Sequence, residues 1–76
     1  MKELLEYLAK SLVQDPDSVS IEEVETEECT TLELRVAAED MGRVIGKQGK
    51  IAKAIRTIVK SSASRVGKHV FVDIKD

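Results

Sequence analysis

The chain has 76 residues, enough for one small domain. Twelve Lys and Arg stand against fourteen Asp and Glu, a net charge of -2, with 42% hydrophobic and 3% aromatic residues. The branched aliphatics exclude a disordered acidic tail, and no apolar run nears the roughly 18 residues of a membrane span. The first residues carry Lys2, Glu3 and Glu6, so no signal peptide is expected, and one cysteine, Cys29, makes neither an internal disulfide nor a metal site. A cytoplasmic setting is expected.

Residues 1–13 read as an amphipathic helix, with Leu4, Leu5, Leu8 and Leu12 at helical spacing. Asp15-Pro16-Asp17 ends it, because the residue before a proline is pushed out of the α region. Residues 18–27 read as a strand in which Val19 and Ile21 alternate. Val24 breaks that parity, so a bulge is expected near Glu22-Glu23. Residues 25–31 form a loop or hairpin, and residues 31–37 a strand with Leu32, Leu34 and Val36 on one face. Glu39-Asp40 is expected to cap a short helix ending near Gly46. After the turn Gly46-Lys47-Gln48-Gly49, residues 50–66 form a long helix. Ile51, Ile55, Ile58, Val59 and Ser62 are assigned to its buried side, and Lys53, Arg56 and Lys60 to another. Gly67 stops this helix, and residues 69–75 make the last strand.

The order is therefore α-β-β-α-α-β. A right-handed crossover through the helical pair makes the last two strands parallel neighbours. The expected fold class is α/β (an α+β sandwich), with three helices on one face of a three-stranded mixed sheet. The other face is expected to carry Glu33, Arg35, His69, Phe71 and Asp73.

Charge is divided unevenly. Residues 1–38 hold three bases and ten acids, whereas residues 39–76 hold nine bases and four acids. From Met41 to Val72 there is no acid and there are eight bases. A bound anion responds to the field within about a 10 Å Debye length, so an acidic chain can still hold a polyanion locally.

The segment Val44-Ile45-Gly46-Lys47-Gln48-Gly49-Lys50 lies in that window. Glycines remove Cβ atoms and let a sugar-phosphate backbone come close to the peptide. The second glycine opens a helix whose free N–H groups favour an anion, and Lys47 and Lys50 add charge there. A Walker loop would need glycine at position 47, which is lysine. A dinucleotide fingerprint would need it at position 44, which is valine.

V-I-G-K-Q-G between two helices, in this element order, resembles a type II KH domain, and the length and acidic first half resemble the small bacterial single-KH RNA-binding proteins of the KhpA family. The resemblance covers essentially the whole chain. It implies one KH domain over residues 1–76, with residues 1–27 as an N-terminal helix and strand extension. The minimal β-α-α-β core would be residues 30–75, and the nucleic-acid loop residues 46–49. The RNA-binding set is Arg43, Val44, Ile45, Gly46, Lys47, Gln48, Gly49, Lys50 and Lys53, with Ile55 supporting the second helix. Many KH domains carry a large aliphatic three residues past the second glycine; here that residue is Ala52, and the bulk stands at Ile51. The resemblance further implies single-stranded RNA binding in a chaperone-like or post-transcriptional role. It also implies homodimerisation, and pairing with a KhpB/Jag-like protein linked to cell elongation and envelope homeostasis.

No catalytic constellation is present in the sequence, and no metal, cofactor, membrane or small-molecule substrate is expected. Arg65 and Lys68 read as helix C-terminal charges, His69 as a plain strand residue and Cys29 as inert. Phe71 falls on the helix-free face by strand parity and is a candidate dimer contact. Two rival readings remain: a helix-turn-helix DNA-binding protein that reads with residues 50–66, and an assembly module that contacts protein only.

Overall fold

The computed structural model describes residues 1–75. Helix α1 spans Lys2–Leu12 and buries Leu5 and Ala9, with Leu4, Leu8 and Leu12 at the margin of the core. Val13 is already extended, and Pro16–Ser18 forms one 3₁₀ turn. Strands β1 (Ser20–Glu25) and β2 (Thr30–Arg35) pair antiparallel around a turn in which Thr26 and Cys29 exchange hydrogen bonds.

The expected bulge is not there. Pairing is unbroken from Ser20 opposite Arg35 to Glu25 opposite Thr30. Val24 breaks parity because it points to the helix-free face, opposite Thr31, where it stays 44% exposed.

After a 3₁₀ turn at Ala38–Asp40 comes α2 (Met41–Ile45), then α3 (Lys50–Arg65) and β3 (Val70–Lys75). Strand β3 lies parallel beside β2 and the sheet order is β1-β2-β3, as a right-handed crossover requires. Leu32, Leu34, Val70 and Val72 of the sheet meet Leu5, Val44, Ile55 and Val59 of the helices in one core. Lys68 N–H reaches Ala63 O and Gly67 N–H reaches Ser64 O, which closes α3 as a Schellman motif, and Gly67 has φ 72°. Among the described residues no helix is long and apolar enough to cross a membrane.

Two further sequence expectations need correction. The buried stripe of α3 is Ala52, Ile55, Val59 and Ala63, whereas Ile58 is 42% exposed. At 100° per residue, position 58 lies roughly 100° around the helix from the centre of that stripe. Asp40 does not cap α2 with its side chain. Its buried carboxylate instead accepts the Gln14 and Asp15 N–H groups, each at 3.1 Å, and lies 3.3 Å from Arg43 Nε. One carboxylate thus ties the chain leaving α1 to the start of α2.

The helix-free face carries cross-strand rows. Val24, Thr31 and Phe71 form one, and Glu22, Glu33 and Asp73 the next. Lys75 donates to Glu33 across this face. That hydrogen bond, and then the paired charge, hold the Glu33 carboxyl below its ordinary 4.5 and the Lys75 ammonium above its ordinary 10.5. Glu33 therefore adds stability that is present above 4.5 and lost as pH falls through its lowered value. Lys75 adds stability that is present below 10.5 and lost as pH rises through its raised value. Glu33→Gln is expected to melt below the parent at neutral pH, with the gap closing in acid. Thermal melts across pH check this, and a gap that stays constant into acid contradicts it.

Candidate nucleic-acid interface

Helix α2 ends at Gly46, whose N–H bonds to Gly42 O at 2.9 Å. Gly46 has φ 76° and ψ 177°, a conformation open to glycine and almost nothing else. A Cβ here would stand 2.5 Å from Ile51 Cγ1. The bulk at position 51 is thereby accounted for: Ile51 fills the space that Gly46 leaves, while Ala52 turns into the core.

Gln48 follows with φ 58° and ψ 27°, and Gly49, at φ 74°, caps α3. Nothing lies within 4 Å of the position a Gly49 Cβ would take. The two glycines thus do different work: Gly46 admits a neighbouring side chain, and Gly49 presents bare backbone to the outside at the start of a 16-residue helix.

Of the residues singled out in the sequence, Lys47, Gln48, Lys50 and Lys53 are exposed and Ile45 is borderline at 36%. Asp40 holds Arg43 at the Nε of its guanidinium, and about half of the Arg43 side chain stays in solvent. Val44 is fully buried, so its side chain offers no contact surface and serves to seat α2. Among the described residues no carboxylate pairs with Lys47, Lys50, Lys53 or Lys60.

Beyond the loop a groove of about 370 Å³ runs between α3 and the edge strand β3. It is lined by Lys53, Arg56, Thr57 and Lys60 on the helix side and by Val70, Phe71 and Val72 on the strand side. Arg56 Nε donates to Val72 O at 3.2 Å and ties the two walls together. The sequence reading named Lys53 in its site set, grouped Arg56 and Lys60 with it on one helix face as backbone contacts without adding them to that set, and gave Phe71 to a dimer contact. The signal for them was the crossover itself, which sets the last strand at the sheet edge beside α3. Among the described residues no cluster of His, Cys, Asp or Glu is arranged to hold a metal.

The family model "KhpA/KhpB, KH domain" matches residues 2–74. The chain belongs to this KH-domain family. This KH domain is 60% identical over 74 residues to the RNA-binding protein KhpA of Clostridium acetobutylicum, covering 97% of this chain and 99% of that protein. Against the RNA-binding protein KhpA of Aquifex aeolicus it is 43% identical, over 97% of this chain and 94% of that one.

Solved structures share the KH fold at low identity. Era Y63A of Aquifex aeolicus bound to GDP·AlF4⁻ matches with a TM-score of 0.68 and 20% identity, over 96% of this chain and 28% of that one. Era in complex with MgGDPNP and nucleotides 1506–1542 of 16S ribosomal RNA matches with a TM-score of 0.70, 20% identity and the same coverage. The chain spans little more than a quarter of those Era chains.

Proposed function

We propose that this KH domain binds single-stranded RNA through the Gly46–Gly49 loop and the groove beside it. One arrangement carries the reading: bare backbone at Gly49 opens a long helix, and Lys47, Lys50, Lys53 and Lys60, with no carboxylate partner among the described residues, line the path from it into the groove. Gly46, Gly49 and Lys50 N–H are engaged inside the loop, by Gly42 O, Gly46 O and Lys47 O. Phosphate contact therefore falls to Lys47 and Gln48, to the first turn of α3, and to the Lys47, Lys50 and Arg43 side chains. Lys53 continues the contact into the groove. Unstacked bases lie in the groove between α3 and β3, which a duplex with its bases turned inward does not reach.

The names of the KhpA relatives, RNA-binding proteins at 60% and 43% identity over nearly their whole length, support the same reading. The family resemblance extends it to a cytoplasmic role as RNA chaperone or post-transcriptional regulator. It adds a homodimer or a heteromer with a KhpB/Jag-like protein, and a link to cell elongation and envelope homeostasis.

A mobility-shift titration compares a single-stranded RNA with duplex DNA of the same sequence. The RNA is expected to bind tighter by at least about tenfold, a margin of roughly 1.4 kcal/mol. Tighter binding of the duplex would favour the helix-turn-helix reading and overturn this one.

A further inference from the structure

Phe71 and Lys60 each border two depressions. One is the groove already described; the other is a hollow of about 230 Å³ toward the C-terminal end of α3, lined also by Ser64, Lys68, His69 and Val70. The chain has a single Phe and a single Tyr. Tyr7 stands on α1 with Glu3, Glu6 and Lys10, and Lys10 is taken up by Glu6, so no free cation flanks the ring there. Phe71 is 55% exposed at the sheet edge; Lys60 and Lys68 line the hollow beside it, and the acids Glu33 and Asp73 stand in the next row of the helix-free face, away from that hollow. An exposed ring flanked by cations matches a nucleobase between two phosphates, because every base has a π-face to stack and every linkage a charge to neutralise.

We propose that this second hollow is a base-stacking subsite that carries an RNA strand beyond the groove. A base stacks on Phe71, and Lys60 and Lys68 hold the phosphates on either side. The subsite rests on the reading of this chain as a single-stranded RNA binder, and it lengthens the footprint past the about four nucleotides that a GxxG loop clamps. The path has an end. Beyond Lys68 and His69 the surface is bordered by Glu25 at the end of β1 and by Glu27 and Glu28 of the β1–β2 turn, which repel a further phosphate.

The test measures the affinity of a labelled tetranucleotide and an octanucleotide of pyrimidine RNA by fluorescence anisotropy. The proteins are the full chain and its variants Phe71→Ala, Phe71→Tyr and Lys60→Ala/Lys68→Ala. The parent is expected to bind the octanucleotide about tenfold or more tighter than the tetranucleotide. Phe71→Ala abolishes that gain and Phe71→Tyr keeps it. The lysine pair, which leaves the strand untouched, reduces the gain and flattens its salt dependence. An octanucleotide gain that survives in both Phe71→Ala and the lysine pair overturns the subsite. So does a Phe71→Ala protein that changes oligomeric mass while keeping the gain, which would assign the ring to a dimer contact. A parent that binds neither oligonucleotide overturns the RNA reading itself, and the subsite with it.

Discussion

Gly46→Ala is expected to melt about 10–50 °C below the parent, and Gly49→Ala less than half as far below. Two costs combine at Gly46. Its φ of 76° with ψ of 177° lies where a side chain is strained, at roughly 1–3 kcal/mol. Its new Cβ would also meet Ile51 Cγ1 at 2.5 Å. Overpacking of that kind costs about 1–3 kcal/mol more, and a domain of this size loses roughly 4–8 °C per kcal/mol. Gly49 carries only the left-handed backbone cost of about 1–2 kcal/mol, since no atom stands near its Cβ direction. Circular-dichroism melts rank the two. In an Ile51→Ala background, itself less stable because Ile51 packs on the core, the Gly46→Ala step should cost less than in the parent, since the contact is gone and the backbone strain is not. A Gly49 variant that melts lower than the Gly46 variant would contradict the loop geometry.

Much of this fold was legible because its signals are local. The period of α1, the strand alternation Leu32-Leu34-Val36 and the Gly67 stop each appear within a few residues, and the crossover rule turned the element order into a sheet order. The misreadings came from positions whose environment is set at a distance. Ala9, Ala52 and Ala63 are all but fully buried, yet alanine is too small to announce a core face. The larger Ile58 drew the stripe toward itself and away from its true centre. Val24 looked like a defect in one strand's pattern and proved to belong to a row across three strands.

Asp40 was misread for a similar reason. Its partners, Gln14 and Asp15, lie 26 and 25 residues earlier in the chain, so a local capping rule took the place of a long-range tie. In the candidate site the loop was legible from Gly46 to Lys50, since glycine spacing and charge are both written in sequence. The far wall of the groove was not. Phe71 meets Lys53, Arg56 and Lys60 only once β3 has docked beside α3.

In the proposed function the loop holds the strand, and the loop can be altered without disturbing what it rests on. Lys47 and Gln48 are exposed, and no hydrogen bond or ion pair of their side chains ties them to other described residues. Aspartate tolerates the left-handed backbone of position 48 better than most residues. Lys47→Asp/Gln48→Asp should therefore keep the parent's melting temperature to within the shift of about 0.5 kcal/mol typical of surface changes. It replaces a cation with an anion and adds a second anion where phosphate would sit, so attraction becomes repulsion.

The most direct test is a filter-binding titration of single-stranded RNA against the parent and this variant across a salt series. Affinity of the variant is expected to fall by at least about 100-fold at low salt, with a shallower salt slope, since each lost phosphate contact removes about 0.7 from it. A folded variant that binds RNA with the parent's affinity and slope would contradict the account.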